Sequence, residues 1–433
     1  MGYISIIADD LTGASDTGIQ FRKYGLKTKV IVDVDELSQF LDGDEVLAIN
    51  ANTRPLKGEK AYKRVYDICC LLKQAGFTRI YKKVDSTFRG NPGIELEAVM
   101  DVLDSNLAVL APSFPDNGRC MIDGYLKVLP VSVGIKHDEA ISAINEKEQQ
   151  LCHVPTIIQK QMKRKVANID LKIVRQGIPA ILSEVEKLYK KGYQVMIIDA
   201  VTKEDLNNIA LACKFLPDET VLAGAAGFAA FLPKVMDLPS NTLQQPPSKE
   251  GIILVVAGTC NPSTRKQIDE VLKNTNASLI KIDTDKIIRG MTEDEVLNVS
   301  QKVQQLTKTE KTKTNPLIIA VDTLFKQTDE KDYSINKWGM TIATAIGDIV
   351  GRLVDERIIQ SLIITGGDTA LHVLIALEAK GIQLEEEILA GIPAGRLFGG
   401  KAHNIPIVTK AGGFGTPMAL LKVIEHLQIH IKV

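Results

Sequence analysis

Residues 3–18 read YISIIADDLTGASDTG, an apolar run that leads directly into two adjacent aspartates and then into small and hydroxyl residues broken by glycine. A short apolar run followed by a turn and a stretch of helical period is typical of the first strand and helix of a βαβ unit. Asp9 and Asp10 come where the predicted strand ends. In an open parallel sheet this is the edge where ligands bind.

The same alternation of Val- and Ile-rich runs with helical stretches continues along the chain. Further strands are predicted at 27–32, 46–50, 79–84, 107–112 and 194–199, and helices at about 15–24, 58–75, 92–103, 178–191 and 203–214. Residues 112–160 carry proline, glycine and asparagine at turn spacing, which predicts hairpins or a long loop. Strands that alternate with helices in this way favour a parallel sheet.

A second domain is predicted after residues 237–251, DLPSNTLQQPPSKEG, because three prolines and polar residues there interrupt the pattern and indicate a linker. Strands restart at 252–258, 277–283, 316–321, 361–367 and 405–413, with helices near 262–274, 337–353 and 369–380 and a last helix after them. A chain of 433 residues exceeds the size at which one core stops growing. We therefore predict two α/β domains with mainly parallel sheets, 1–236 and 252–433, with the active site in the interdomain cleft.

The charge balance argues against polyanionic partners. Lys and Arg number 52 and Asp and Glu 53, a net charge of −1, which gives no general attraction for nucleic acid or an anionic membrane. The six cysteines contain no C-x-x-C pair, and the histidines form no metal-binding signature. No targeting pattern is visible, so we expect a cytoplasmic protein with small-molecule partners, and a homo-oligomer is compatible with the sequence.

Polar residues follow several predicted strands of the first domain. Asp9 and Asp10 follow the first, Arg54 ends an Asn-Thr-Arg string after 46–50, and KKVDSTFRGNPG (82–93) follows another. Two neighbouring carboxylates need a nearby cation, and Lys or Arg beside hydroxyl donors can hold a carboxylate or a polyol. These residues indicate a site for an acidic, hydroxylated small molecule. The alternatives are that an aspartate merely caps the following helix and that 82–93 is an ordinary surface loop.

Three strand ends of the second domain are rich in glycine or hydroxyl residues: AGTCNPST (257–264), ITGGDTA (364–370) and KAGGFGTP (410–417). Helix N-termini and glycine turns present free N–H groups to phosphate, so the three together predict a nucleotide-phosphate site, although each alone could be a tight turn.

GRLFGGKA (395–402) fits G-x-x-x-x-G-K. However, it has Ala402 where a P-loop needs Ser or Thr, and it follows no predicted strand, so we predict that it is not a P-loop. Gly395, Arg396 and Lys401 are left as candidates for lining a cleft.

With these motifs in place, the whole chain resembles the four-carbon acid sugar kinases. The matching strings are IADDLTGASDTG, NTR, YKKVDSTFRGNPG, APSFPDNGR, GTCNPSTRKQ, TGGDTA and PIVTKAGGFGTP. The resemblance implies an ATP- and Mg²⁺-dependent kinase that phosphorylates the 4-hydroxyl of a four-carbon sugar acid. The K-x-D-S-T-x-R-G-N form is similar to members that act on D-threonate or D-erythronate, whereas 3-oxo-tetronate kinases tend to carry a Cys-Ser-Thr run before the Asp-Ser-Thr.

The resemblance also implies roles for individual residues. The substrate contacts would be Asp10, Arg54, Lys82, Lys83, Val84, Asp85 and Ser86. The ATP contacts would be Ser263, Gly366, Gly367, Asp368, Gly412, Gly413, Phe414 and Gly415. Asp10 or Asp368 would accept the hydroxyl proton, and no metal ligand is predicted. The alternatives are a kinase for 3-oxo-tetronate or another small hydroxy acid, and a non-catalytic sugar-acid-binding protein.

Overall fold

The structure is a computed structural model that describes residues 4–41, 45–128, 153–239, 252–308, 315–326, 333–356 and 358–431. The chain forms two compact units, Met1–Thr242 and Leu243–Val433. Each unit is an α/β structure in which most neighbouring strands are parallel. The predicted α/β class with mainly parallel sheets is confirmed.

The first unit contains a parallel sheet in the strand order β2-β3-β1-β4-β10-β5-β9-β8 and a separate antiparallel hairpin, β6-β7. The strands are β1 (Ile4–Ala8), β2 (Thr28–Ile31), β3 (Val46–Asn50), β4 (Ile80–Lys83), β5 (Ala108–Ala111), β6 (Arg119–Ile122), β7 (Tyr125–Val128), β8 (Val166–Ile169), β9 (Val195–Ile198) and β10 (Val221–Gly224). Because β3 and β4 flank β1, the residues that follow these three strands meet at one edge.

The helices of the first unit follow the strands. They are α1 (Leu11–Lys23), α2 (Glu59–Gln74), α3 (Pro92–Leu103), α4 (Val154–Gln159), α5 (Leu171–Val174), α6 (Ile178–Lys190), α7 (Lys203–Cys213), α8 (Ala226–Ala229) and α9 (Leu232–Val235), with 3₁₀ turns at Val34–Phe40 and Pro115–Asn117. Every residue of β1 and β3 is buried, as expected for central strands of a parallel sheet covered on both faces.

The second unit has the strand order β12-β13-β11-β14-β17-β16-β15. Its strands are β11 (Ile252–Ala257), β12 (Ser278–Ile282), β13 (Leu317–Val321), β14 (Ile359–Thr365), β15 (Gly381–Leu389), β16 (Ile392–Phe398) and β17 (Pro406–Lys410). Each neighbouring pair in the run β12-β13-β11-β14-β17 is parallel, whereas β16 is antiparallel to both β15 and β17. The carboxyl ends of β11, β14 and β17 are therefore adjacent.

The helices of the second unit are α10 (Pro262–Asn274), α11 (Thr284–Ile288), α12 (Thr292–Thr307), α13 (Tyr333–Asp355), α14 (Gly367–Ala376) and α15 (Ala419–Ile431), with a 3₁₀ turn at Asp322–Phe325. None of the described helices has both the length and the apolar composition needed to cross a lipid bilayer.

Several predicted boundaries need correction. The helix expected at 369–380 begins at Gly367 and ends at Ala376, and the strand expected at 405–413 ends at Lys410. The β15-β16 hairpin and α12 were not predicted. In the predicted loop region, β6-β7 is a hairpin as expected. Residues 129–152 of the predicted loop region and residues 240–251 of the predicted linker lie outside the described residues.

Candidate functional site

Arg54 is the centre of a charged cluster at the carboxyl edge of the first sheet. Its Nε lies 2.8 Å from Asp9 Oδ2, its Nη1 2.7 Å from Asp10 Oδ2, and its Nη2 3.1 Å from Asp85 Oδ1. A guanidinium has five N–H donors, so donors remain on Arg54 after these three bonds. The side chain is 22% exposed, which leaves it accessible to a small ligand.

The loop after β3 places Arg54 in this position. The N–H groups of Thr53 and Arg54 donate to the carbonyl oxygen of Asp9, at 3.1 and 3.4 Å. Asn52 has a φ of +48°, and its N–H donates to Asn50 Oδ1 at 3.1 Å. Asparagine tolerates the left-handed conformation and closes such turns with its own side chain, so the Asn residues turn the chain back across the end of β1.

Asp10 serves both as the helix cap considered from the sequence and as a partner of Arg54. Its Oδ1 accepts the N–H of Gly13 at 2.8 Å, and its Oδ2 accepts the hydroxyl of Thr12 at 2.9 Å. The cap stabilises the start of α1. It also fixes the carboxylate in the orientation that meets Arg54.

Asp9 is almost fully buried, and its Oδ1 has no hydrogen-bond partner among the described residues. Burial, together with the charge of Asp10, raises the pKa of Asp9 to about 6 despite the opposing charge of Arg54. Loss of hydration disfavours the charged form of a carboxyl group, which explains the direction. Asp9 therefore ionises with more difficulty than an ordinary carboxyl group.

The pKa of Asp85 shifts in the opposite direction. Burial acts to raise its pKa, but hydrogen bonds from Arg89 and the charges of Arg54 and Arg89 outweigh burial and lower the pKa of Asp85 well below its ordinary value. Arg89 contributes Nε at 3.0 Å and Nη2 at 3.1 Å, and the Thr87 hydroxyl lies 2.5 Å away. Asp85 stays ionised and holds Arg54 in place. Ser86, the next residue, is half-buried.

Lys83 faces the first turns of α1. A side chain at Gly13 would put a Cβ 3.1 Å from Lys83 Nζ, so glycine at that position gives the ammonium its space. Burial acts to lower the pKa of Lys83, but the charges of Asp16, Asp9, Asp10 and Asp85 raise it above its ordinary value. Asp16, buried on α1, was not among the predicted site residues. Its signal was a charged residue inside the opening motif, on a helix that packs against the sheet.

Lys82 lies on the opposite face of β4, and its role as a substrate contact stays a prediction. Its Nζ forms a fully buried ion pair with Glu95 at 2.7 Å and donates to the carbonyl oxygen of Lys83 at 2.6 Å. The side chain of Val84 is also buried, while its carbonyl oxygen accepts the Lys83 Nζ at 2.7 Å. Both side chains point to the face opposite that of Lys83, because alternate residues of a strand point to opposite faces.

The three predicted phosphate-binding segments of the second unit lie together around Thr259. A Cβ on Gly412 would lie 2.6 Å from Thr259 Oγ1, and a Cβ on Gly366 would lie 3.5 Å from Thr259 Cβ. A Cβ on Gly258 would lie 2.2 Å from Thr369 Oγ1. Glycine is thus required for the segments to approach each other.

The segment at 366–369 begins α14 without a side-chain cap. Gly366 has a φ of +109°, and its N–H donates to the carbonyl oxygen of Lys410 at 2.9 Å. The N–H groups of Gly367, Asp368 and Thr369 belong to the first turn, where no carbonyl of the helix can accept them. Free N–H groups and the helix dipole favour an anion here. The carboxylate of Asp368 is exposed beside them.

The segment at 257–264 begins α10. Asn261 Oδ1 accepts the N–H of Ser263 at 2.9 Å, and Thr259 Oγ1 accepts the N–H of Asn261 at 3.2 Å. Asn261 therefore caps the helix, and Ser263 is left half-buried on its first turn. The segment that contains Gly412, Gly413, Phe414 and Gly415 lies against it, since a Cβ on Gly413 would lie 3.3 Å from Asn261 Nδ2.

Among the residues that the structure describes, two groups of aspartates have carboxylate oxygens within 4.8 Å of one another: Asp123, Asp170 and Asp199 in the first unit, and Asp283, Asp285 and Asp322 in the second. In the second group Lys326 Nζ lies 2.7 Å from Asp322 and 3.2 Å from Asp285. That group follows β12 and β13 on the sheet edge that carries the glycine segments. The segment at 257–264 contacts the 3₁₀ turn Asp322–Phe325, since Cys260 Sγ lies 3.3 Å from Thr323 Oγ1.

The structure agrees that residues 395–402 are not a P-loop. Gly395 and Arg396 lie inside the antiparallel strand β16, where Gly395 pairs with Leu384 and with Ile407. Arg396 Nε bonds to Glu385 at 3.0 Å. A P-loop joins a strand to a helix, which this segment does not do.

Comparisons with known proteins agree with the division into two sites. Residues 4–232 match the family model of a sugar-binding N-terminal domain, and residues 254–420 match that of a nucleotide-binding C-terminal domain. The two matches define a protein with one domain for a sugar and one for a nucleotide, and its full-length relatives are kinases. The chain belongs to the four-carbon acid sugar kinase family.

Its relatives match over nearly their whole length. The chain is 30% identical to the D-threonate kinase of Salmonella typhimurium, covering 98% of each chain. It is also 30% identical to the D-erythronate kinase of Heliobacterium modesticaldum, covering 99% of this chain and 97% of the relative.

Solved structures share the fold. A protein from Salmonella typhimurium LT2 has a TM-score of 0.77 at 21% identity over 98% of this chain and 99% of its own. Protein HI1011 of Haemophilus influenzae has a TM-score of 0.67 at 21% identity over 99% of this chain and 100% of its own.

Proposed function

We propose that this kinase transfers the γ-phosphoryl group of ATP to the 4-hydroxyl of D-threonate or D-erythronate. The observation that carries the proposal is the Arg54 cluster, which combines cationic donors and carboxylate acceptors in the sugar-binding domain. The 30% identity to both a D-threonate kinase and a D-erythronate kinase supports it, compared with 25% to the 3-oxo-tetronate kinase of Pseudomonas savastanoi. Kinase family membership weighs against a non-catalytic binding protein.

In the first unit, the remaining N–H donors of Arg54 and the ammonium of Lys83 would bind the substrate carboxylate by charge-assisted hydrogen bonds. The carboxylates of Asp10 and Asp85, already fixed by their protein partners, would accept hydrogen bonds from the hydroxyls. Ser86 would supply a further hydroxyl. Fixed acceptors can distinguish two stereoisomers, because a hydroxyl in the wrong configuration leaves a polar group unpaired.

In the second unit, the free N–H groups of Gly367 and Asp368 and of Gly412, Gly413 and Gly415 would bind the ATP phosphates, with Gly366 and Phe414 in the same segments and Ser263 beside them. Transfer requires the 4-hydroxyl to lie in line with the γ-phosphate. That both sites open onto one interdomain cleft stays a prediction. We keep 1–236 and 252–433 as the proposed domains, with 237–251 as the linker, and the family-model matches at 4–232 and 254–420 support these bounds.

We assign proton acceptance to Asp368 and substrate holding to Asp10. Asp10 already accepts bonds from Gly13, Thr12 and Arg54, whereas Asp368 is exposed and forms no ion pair with any described residue. A general base must have a lone pair within reach of the hydroxyl proton. The exposed carboxylate of Asp368 would supply that lone pair next to the N–H groups proposed for phosphate.

The carboxylates of Asp283, Asp285 and Asp322 fit Mg²⁺ in the type of their donor atoms, since this ion takes oxygen ligands and is commonly bound by one or two carboxylates with substrate phosphates. They lie on the sheet edge of the phosphate segments, and the neighbouring ammonium of Lys326 shows that the group attracts a cation. Bound Mg²⁺ would neutralise phosphate charge during transfer. We place the enzyme in the cytoplasm, with a sugar acid and ATP rather than nucleic acid or membrane as its partners.

The test is an ATP-consumption assay with D-threonate, D-erythronate, L-threonate and a 3-oxo-tetronate, with Mg²⁺ present and omitted. We expect Mg²⁺-dependent turnover with D-threonate or D-erythronate and a product whose ³¹P NMR spectrum shows a phosphate ester at C4. The proposal is wrong if no tetronate is consumed, or if the 3-oxo-tetronate is the preferred substrate.

A further inference from the structure

Lys410, the last residue of β17, is a buried cation with no carboxylate partner among the described residues. It is 1% exposed. Its Nζ donates to the carbonyl oxygens of Ala411 at 2.9 Å, Gly412 at 3.3 Å and Phe414 at 3.2 Å. The buried Lys82, by contrast, has Glu95 as its counter-ion. Burying an unpaired charge is costly, so the loop after β17 wraps around an ammonium that the fold alone does not neutralise.

Two buried side chains of α10 bind the same loop from another side. Gln267 Nε2 donates to the carbonyl oxygens of Phe414 at 2.9 Å, Gly415 at 3.2 Å and Thr416 at 3.1 Å. The Thr264 hydroxyl donates to the carbonyl oxygen of Gly412 at 2.8 Å. Nearly every carbonyl oxygen from 411 to 416 is thus bound by Lys410, Gln267 or Thr264.

Some N–H groups of the loop are left over, although that of Phe414 donates to the carbonyl oxygen of Ala411 at 3.1 Å. Within the described part of the chain, those of Gly412, Gly413 and Gly415 donate to no protein acceptor. Successive free N–H groups in a glycine turn form a concave anion site. A loop whose carbonyls are turned toward a cation presents its N–H groups on the other side.

We propose that Lys410 is the positioning residue of the ATP phosphate site: its ammonium, with Gln267 and Thr264, holds the carbonyls of 411–416 inward so that the glycine N–H groups receive phosphate, and a bound phosphate supplies the missing counter-charge. This inference rests on the proposed function, because it takes ATP as the ligand of the second unit. Lys410 acts through the loop and does not touch the reacting atoms.

The groups around the Lys410 ammonium determine how its protonation is linked to phosphate binding. The side chains of α10 and β14 beside it are the uncharged Thr264, Gln267 and Thr365. The ionisable residues of α14, the helix that follows β14, are Asp368 and His372. Burial lowers the pKa of Lys410 to about 7. A phosphate anion favours the charged amine, so binding raises this pKa and takes up protons. Affinity for ATP is therefore expected to fall as the pH rises above about 7.

The test is calorimetric binding of a non-hydrolysable ATP analogue to the full chain without sugar acid, at pH values from about 6 to 8.5. Lys410→Met should weaken binding by about 10-fold or more at the lowest pH, the scale of one lost charge-assisted interaction. It should also remove the part of the pH dependence that exceeds the titration of the analogue itself. The KM for the sugar acid should not change. Lys273→Met, an exposed lysine on α10, is the matched control.

A Lys410→Met protein that folds and binds the analogue within about twofold of the wild type at every pH overturns the inference. If that variant does not fold, Gln267→Met tests the same loop, and wild-type affinity in Gln267→Met has the same meaning. A wild-type protein that binds no analogue contradicts the proposed function instead, so the two failures are distinguishable.

Discussion

At the scale of single residues, the most informative feature is that two carboxylates around one guanidinium, Asp9 and Asp85, have pKa values shifted in opposite directions. Asp85 has a pKa well below its ordinary value, whereas the pKa of Asp9 is raised to about 6. The two share Arg54 as a partner, so the difference comes from burial and from the extra donors around Asp85. Groups whose environments push their pKa values apart are concentrated at functional sites.

The raised pKa of Asp9 predicts a dependence of stability on pH. Because the folded-state pKa is about 6 rather than 3.8, the contribution of Asp9 to stability is complete below pH 3.8 and is lost as the pH rises through about 6. Asp9→Asn has no charge to bury. The Tm of this variant, relative to wild type, should therefore rise between about pH 4 and pH 7, with an upper limit near 3 kcal/mol in the free energy of unfolding.

Thermal unfolding at a series of pH values measures this difference. Asp85 is present in both proteins, so its opposite effect cancels. Asp218→Asn, at an exposed position, is the control and should give a constant difference. A difference for Asp9→Asn that does not change with pH would contradict the raised pKa.

A second residue-scale prediction separates the two candidate proton acceptors. Asp368→Asn should lower kcat by about 100-fold or more, the scale of a lost general base, with little effect on Tm. Asp10→Asn should mainly raise the KM for the sugar acid, and it should remain stable because Asn also caps helices well. Steady-state kinetics distinguish the two. A large loss of kcat in Asp10→Asn with normal turnover in Asp368→Asn would mean that Asp10, and not Asp368, accepts the proton.

At the scale of elements, strand and helix positions were predictable where local chemistry is strong. The apolar run at 46–50 coincides with β3, and proline near the first position marks the starts of α3 and α10 at the predicted residues. The β15-β16 hairpin was missed because Glu385 to Glu387 interrupt the alternation and the strands bulge between Leu384 and Glu386. Hydrophobic period alone does not identify such strands.

The grouping of Asp10, Arg54 and Asp85 was predictable from the sequence, and the individual contacts were not. Strand-end position brought Asp10, Arg54 and Asp85 together as candidates, and the structure places them within bonding distance. Which of two adjacent lysines, Lys82 or Lys83, faces the cluster depends on which helix covers each sheet face. The bonds from Gln267 to Phe414, 147 positions apart, belong to tertiary packing that no local motif encodes.

The packing of glycine segments gives an element-scale prediction. Gly258→Ala would place a Cβ 2.2 Å from Thr369 Oγ1 and 2.9 Å from Ile346 Cδ1, so the start of α14 must move. The N–H groups proposed for phosphate move with it, and affinity for an ATP analogue should fall by about 10-fold or more. Calorimetry on the full chain measures this.

Gly351→Ala is the matched control for that experiment. Gly351 lies inside α13, and the nearest heavy atom to its added Cβ is 3.7 Å away, an ordinary contact. Alanine in a helix interior should stabilise the protein by about 0.5–1 kcal/mol and leave ATP affinity unchanged. Equal losses of affinity in the two variants would show that the close approach at Gly258 is not what matters.

At the scale of the whole molecule, the two units place their polar sites in the same way. Each compact unit has parallel strands whose carboxyl ends carry its polar site, the position at which open α/β sheets bind ligands. The first site is built from charged side chains around Arg54, and the second from backbone N–H groups in glycine segments. Side-chain charges suit a small acid with several hydroxyls, whereas backbone N–H groups suit phosphate.

This division of labour predicts how Lys83→Met behaves. Loss of the ammonium removes a donor for the substrate carboxylate and leaves Asp9, Asp10 and Asp16 with less compensating charge, so the KM for the sugar acid should rise by about 10-fold or more. Affinity for an ATP analogue should stay within about twofold of wild type, because Lys83 belongs to the first unit. Lys60→Met, an exposed lysine on α2, is the control for loss of charge. If Lys83→Met folds and loses affinity for the analogue as strongly as for the acid, the two ligands do not have separate sites, and the assignment of one ligand to each unit fails.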